Sequence, residues 1–307
     1  MCALSLTACG DDTSSEDPVL GGKSFDRLEA VTISGDVGSA PEVKWKGSMD
    51  AGKVESETLV EGDGEPLKGQ DDVLAHLWIG NGYSQETAFS TYDEKKAELL
   101  TVNNDLPEFL AGIRDATVGS RIAVTASAKE AFGPTGNSQL GIANKDTVLV
   151  VIDLVSKVLD KPEGEQSPYP DWMPKPKFRK GVIKGFDFTA APEPTGDLRR
   201  VQLIKGTGPR VKKGQTIAVR YLGQAFDGDK PFDENFGDTG TGQPTTFSIG
   251  TGAVIKGWDQ GLEGVPVGSR VVLEVPPELG YGAEGSPDSG IPKDATLVFM
   301  IDILAAA

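Results

Sequence analysis

The sequence predicts an α+β chain built from two copies of one small domain, each an antiparallel sheet packed on a single short helix. Three observations carry this. The first is a repeat: at an offset of 149 residues, VGSR (118–121) falls on VGSR (267–270) and VLVVIDLV (148–155) falls on LVFMIDIL (297–304). In the same frame Gly112 meets Gly261, and Gly133, Gly136 and Gly141 meet Gly282, Gly285 and Gly290. The second is a set of short β-rich runs, QTIAVRYLG (215–223), TTFSIG (245–250), SRVVLEVP (269–276) and ATLVFMIDIL (295–304), in a chain with 39 Gly and 20 Pro. Such runs between turn residues read as strands with one buried face. The third is the stretch 247–282, which reads as strand, tight Gly turn, one short helix and a second strand. One helix covering one antiparallel sheet is an α+β arrangement.

That helix carries Val254, Ile255 and Trp258 but also Gly257, Gly261 and Gly264. Each Gly weakens a helix by about 1 kcal/mol relative to Ala. The helix is therefore expected to be held by burial of Trp258 and Ile255 against the sheet.

Upstream of the helices the repeat offset falls to 143–144, pairing LVEGDG (59–64) with LIKGTG (203–208) and HLWIG (76–80) with the run from Arg220 to Gly223. The boundaries that follow are 1–24, a leader and flexible tether; 25–157, the first domain; 158–186, a Pro-rich, semi-rigid linker; and 187–307, the second domain.

The leader contains LSLTACGDD (4–12), which resembles the lipobox of bacterial lipoproteins, with Cys9 as the lipidated residue. The acidic, Ser-rich DDTSSEDP (11–18) after it suits a tether. No basic segment or full apolar core precedes Cys9, so the translation start is expected upstream of Met1. This places the protein outside the cytoplasm, held to the outer face of a bacterial cell membrane by its lipid alone.

Charge and rare residues exclude several chemistries. Residues 1–160 carry 13 Lys and Arg against 27 Asp and Glu, and the remainder carries 17 against 19. A surface this acidic repels phosphate backbones, so no nucleic-acid partner is expected. Both cysteines, Cys2 and Cys9, lie in the leader, leaving the domains without a disulfide or a Cys-ligated metal. His76, the single histidine, sits in the apolar run VLAHLWIG (73–80) and reads as a satisfied strand histidine. Neither a metal site nor a cofactor is expected.

Over the whole second copy, several separated motifs occur in a fixed order. They are GDLRRVQLIKGTGPRVKKGQTIAVRYLG (196–223), PFDENF (231–236), AVIKGWDQGLEGVPVGSR (253–270), ELGYG (278–282) and GIPKDATLVFMIDIL (290–304). Together they resemble the FK506-binding-protein (FKBP) type of peptidyl-prolyl cis-trans isomerase. The resemblance implies a half-barrel wrapped on the helix, with a proline pocket between them and no cofactor. It also implies proline-containing polypeptide clients and FK506-like macrolides as ligands. Carried over position by position, Asp233, Tyr281, Trp258 and Phe232 become the catalytic group. Tyr221, Phe247, Val254, Ile255, Ile291 and Phe299 become substrate-binding residues. In this reading Trp258 is the floor, Tyr281 presents a hydroxyl to a substrate carbonyl, and Asp233 sits beside the twisting amide. Thr245, Ala253 and Ser286 depart from the family's commonest residues, which bears on substrate preference.

The first copy carries the pattern weakly. The sequence frame sets Trp78 on Tyr221, Phe89-Ser90 on Phe232-Asp233, Phe109 on Trp258, Phe132 on Tyr281 and Val150 on Phe299. Hydrophobicity is kept while the carboxylate and hydroxyl are lost, so catalysis is expected in the second copy. A non-catalytic chaperone or surface binding protein on the same scaffold is the alternative.

Overall fold

The computed structural model describes residues 23–307. Cys9 lies outside the described residues. Two antiparallel sheets dominate. In the first, the strands run in the order Glu55–Val60, Arg121–Ser127, Thr147–Lys157, Asp72–Asn81 and Thr87–Ser90, with Glu98–Thr101 also on Asp72–Asn81. The second has the order Gly164–Gln166, Arg199–Gly206, Arg270–Val275, Leu297–Ala306, Thr216–Ala225 and Asp233–Glu234, with Thr245–Ser248 also on Thr216–Ala225. Apart from the added strand Gly164–Gln166, the two orders coincide element by element. No helix among the described residues is long and apolar enough to cross a membrane.

Alternation along each strand sends side chains to two faces. In the second sheet the concave face gathers Ile217, Val219, Val271, Leu273, Ile301 and Ile303 around Trp258 and Leu262 of the helix Lys256–Leu262. The two buried glycines of that helix, Gly257 and Gly261, lie against the strand Arg270–Val275. A Cβ on them would sit 2.4 Å from Val275 and 2.9 Å from Leu273. Helix propensity is sacrificed there for close packing. The helix begins one residue after Ile255, so Val254 and Ile255 belong to its approach rather than to its body. In the first sheet the equivalent segment is a 3₁₀ turn, Glu108–Ile113.

The segment 158–186, expected to be a linker, is part of the second unit. It supplies the edge strand Gly164–Gln166 and a hairpin, Lys175–Arg179 with Val182–Asp187. That hairpin turns at Lys180 and Gly181, both with positive φ (52° and 82°), as a two-residue primed turn requires. Met173, Val182, Ile183 and Phe186 are buried on the convex face of the sheet against Leu222, Val272, Val298 and Met300. A second hairpin, Val31–Ser34 with Glu42–Trp45, covers the convex face of the first sheet through Val31, Ile33, Val43 and Trp45. Each unit is thus a sheet with a helical turn on one face and a hairpin on the other.

The units touch where Leu74, Ala97 and Val158 pack with Ala218, Leu304 and Ala305. There the Ala97 N–H donates to Thr216 Oγ1 at 3.0 Å.

Candidate active site

Between the helix and the concave face of the second sheet lies a cavity of about 410 Å³. Its floor is Trp258, only 4% exposed. Three rings stand edge-on to the indole: Tyr221 at 5.4 Å between centroids, Phe247 at 5.2 Å and Phe299 at 5.4 Å, with interplanar angles of 87°, 76° and 85°. Phe232 meets Phe299 edge-on at 5.7 Å and completes the far wall. Edge-to-face contacts of this kind add about 0.5–1.5 kcal/mol each beyond burial, so the rings hold one another in place. Val254, Ile255, Ala253 and Gly252 form one rim, and Tyr281, 42% exposed, stands at the mouth.

The polar groups are few. The Tyr221 hydroxyl donates to Asp233 Oδ2 at 2.5 Å. Burial, and then the Asp233 carboxylate, pushes the Tyr221 phenol far above its ordinary range, so it stays protonated and donating. Asp233 is therefore anchored to the wall rather than free beside the cavity. The indole Nε1 of Trp258 is buried without a hydrogen-bond partner among the described residues.

Nine of the ten predicted pocket residues line the cavity. The exception is Ile291, 2% exposed, which is buried in the core; its backbone pairs with Ser286. The residue following a loop Gly is drawn inward here because the Ser286–Ile291 bridge closes that loop.

Sequence reasoning missed three supports. Asn235, within the PFDENF motif, accepts the Tyr221 N–H at 2.6 Å and donates to the carbonyls of Val219 and Gln243 at 3.1 and 3.2 Å, clamping the loop to the wall strand. Asp259 accepts from the N–H groups of Gly250 and Gly252 at 2.6 and 3.1 Å, fixing the rim to the helix. Gly223 is the third. A Cβ there would lie 2.6 Å from Phe232 and 2.7 Å from Phe299, so both rings use the space that a side chain would take. Its signal was a glycine inside a strand, which marks close approach.

A family model described as FKBP-type peptidyl-prolyl cis-trans isomerase matches residues 208–304. An FK506-binding protein of Streptomyces anulatus is 40% identical over 113 residues, 37% of this chain and 89% of the relative. The peptidyl-prolyl cis-trans isomerase FKBP15-2 of Arabidopsis thaliana is 43% identical over 116 residues, 36% of this chain and 68% of the relative. The chain belongs to the FKBP-type peptidyl-prolyl cis-trans isomerase family. Among solved structures, a peptidyl-prolyl cis-trans isomerase from Pseudomonas syringae pv. tomato is 34% identical, covering 36% of this chain and 75% of that one, with a TM-score of 0.32.

The family model falls within the second unit, and the first unit is read against that unit by strand register. Asp302 pairs with Arg220 across the sheet and Asp153 pairs with His76, which puts Leu77, not Trp78, at the position of Tyr221. The one-residue slip exchanges faces: Trp78 packs on the convex side with Trp45, where the FKBP unit has Leu222. The same frame sets Ile79 on Gly223, because each pairs with the equivalent residue, Val150 or Phe299. It also sets Ala88 on Phe232 and Phe89 on Asp233. Phe109 and Phe132 do stand at the Trp258 and Tyr281 positions, where they touch each other at 5.1 Å between centroids. The wall hydroxyl, the carboxylate and the accommodating glycine are all replaced by apolar side chains that pack on the core. The lone His76 is half-buried, bonded through Nδ1 to Thr91 Oγ1 at 2.9 Å and stacked on Tyr92.

Proposed function

We propose that the second unit isomerises X-Pro bonds of polypeptides outside the cytoplasm, in the cavity floored by Trp258. The observation that carries this is the box of edge-on aromatic rings around Trp258. An X-Pro amide has cis and trans forms within about 0.5–1 kcal/mol of each other, separated by a barrier of about 18–20 kcal/mol. Most of that barrier is lost resonance. At 90° of twist the carbonyl has lost its charge separation, so the twisted amide is less polar than either planar form. A pocket that excludes water favours it over both, which is differential binding of the transition state.

The residues act accordingly. Trp258, Phe232 and Phe299 enclose the proline ring, and Phe247, Tyr221, Val254 and Ile255 enclose the flanking apolar groups. The Tyr281 hydroxyl at the mouth holds a substrate carbonyl. Asp233 acts through Tyr221, setting the wall ring and placing a negative potential beside the amide. The same cavity accommodates FK506-like macrolides, and no cofactor takes part.

The first unit is a second FKBP-like domain in tandem, without isomerase activity, acting as a binding or spacing domain. Its filled concave face favours that role. Cys9 in its lipobox-like setting supports attachment to the outer face of a bacterial membrane. Labelling of the full-length precursor with radioactive palmitate tests the anchor: label lost in Cys9→Ala supports it, and a blank wild-type precursor rejects it. Isomerisation of an Ala-Leu-Pro-Phe peptide by the full chain tests the site. Rates unchanged in a folded Asp233→Val variant would remove Asp233 from it.

A further inference from the structure

On the convex face of the FKBP unit, opposite the aromatic pocket, a second cavity of about 450 Å³ lies over the ion pair between Arg270 and Asp302. The first unit carries the same pair, Arg121 with Asp153, at the same strand register. There it is sealed by the unit's own chain. The Arg121 guanidinium donates to the carbonyls of Ser34, Gly35, Asp36 and Ser39 at 3.4, 2.8, 3.0 and 2.7 Å. Asp153 in turn accepts the Gly38 N–H at 2.7 Å and the Tyr92 hydroxyl at 2.6 Å. The hairpin connection 35–41 is in effect a bound polypeptide turn.

In the FKBP unit the equivalent hairpin turns at Lys180-Gly181 and has no such connection. The position of Tyr92 is taken by Phe236, which has no hydroxyl, and that of His76 by Arg220. Arg270 uses Nε and Nη2 on Asp302, and Arg220 uses Nε on the Gly242 carbonyl and Nη1 on that of Asp160. Among the described residues, Arg270 Nη1 and Arg220 Nη2 are left as donors. Asp302 is left with acceptor capacity that its counterpart spends on the turn.

We propose that this cavity is a second polypeptide-binding site, which takes a Gly-rich turn of a client or partner chain in the way the first unit takes residues 34–39. The turn's carbonyls accept from Arg270 and Arg220, and one of its N–H groups donates to Asp302. The need for an N–H donor to Asp302 as well as carbonyl acceptors for the arginines suits a peptide main chain, which carries both in every residue but proline. Lys161 and Lys180 on the rim, with the two arginines, outnumber Asp160 and Asp302 and favour a turn that carries a carboxylate, as Asp36 does. A site on this face leaves the proline pocket open, so one domain grips a chain while isomerising another of its bonds.

The test uses the full ¹⁵N-labelled chain and a cyclised peptide containing ISGDVGSA, the sequence of residues 33–40, which has no proline. Saturable binding that shifts the Arg270 and Arg220 Nε–H signals is expected, with no competition from a proline-containing substrate. Thr241→Trp, which fills the cavity from an exposed loop, weakens binding at least tenfold while the isomerisation rate is unchanged. Absence of saturable binding, binding that survives Thr241→Trp, or inorganic phosphate producing the arginine shifts where the peptide produces none each overturns the proposal.

Discussion

The concave faces of the two units share one backbone and differ by a handful of side chains. Where the FKBP unit has Gly223, Phe232, Asp233 and Tyr221, the first has Ile79, Ala88, Phe89 and Leu77. In the FKBP unit Tyr221, Phe232 and Asp233 border the cavity floored by Trp258, whereas the first unit's set packs into its core. Strand order and pairing are thus compatible with a pocket or with a plain core. A glycine that admits two rings edge-on, and a hydroxyl–carboxylate pair that stiffens one wall, decide which is made.

The convex faces sharpen the contrast, and the largest effects are expected there. Arg121 and Asp153 are 2% and 0% exposed, whereas Arg270 is 22% exposed beside a buried Asp302. Removing one partner of a fully buried pair costs about 3–5 kcal/mol, so Arg121→Met is expected to lower stability by that amount in chemical denaturation. Arg270→Met is expected to lower it less, because water already reaches that pair. Phe186→Ala, on the hairpin mistaken for a linker, is expected to cost about 3–5 kcal/mol. A loss near zero would return the hairpin to linker status.

Next come changes to the pocket. Gly223→Ile imports the first unit's residue and drives Phe232 and Phe299 apart; kcat/KM for a proline peptide is expected to fall at least tenfold. The reverse change, Ile79→Gly, is expected to create no activity, since Ala88 and Phe89 still lack the wall. Tyr221→Phe keeps the ring and removes its bond to Asp233. A hydrogen bond is worth about 0.5–1.5 kcal/mol net, so a loss of a few-fold in kcat/KM is expected, with substrate affinity the more affected.

The smallest effect is one of pH. Tyr221 and Tyr92 are both held protonated by burial first and by a neighbouring carboxylate second. Their folded pKa lies above the unfolded value of about 10, so the stability they contribute is complete below that pH. It is lost as pH rises beyond it, because only the unfolded chain releases the protons. Ultraviolet titration of the folded protein is expected to leave these two tyrosines unionised above about pH 10, and denaturation midpoints are expected to fall from about pH 10 upward.

Much of this was legible in the sequence. The floor and walls could be placed because Trp258, Phe232, Phe247 and Phe299 sit in or between motifs that together resemble the FKBP family, and the resemblance implies their roles. The linker was misread because Met173, Val182, Ile183 and Phe186 are interspersed with prolines and lysines and show no period until the turn at Lys180-Gly181 pairs them. Trp78 drew the eye as an aromatic counterpart of Tyr221, yet alternation in the strand sends it to the opposite face. The anchoring of Asp233 by Tyr221, and the exit of Ile291 into the core, depend on contacts between distant segments that no local pattern records.

The central claim is that the chemistry resides in one of two units that share a strand order. It is tested most directly by the isomerisation kcat/KM of the full chain carrying Trp258→Leu or, separately, Phe109→Leu at the equivalent position, with folding checked by circular dichroism. The account predicts a loss of at least tenfold for Trp258→Leu and an unchanged rate for Phe109→Leu. Equal losses from the two, or a greater loss from Phe109→Leu, would contradict it.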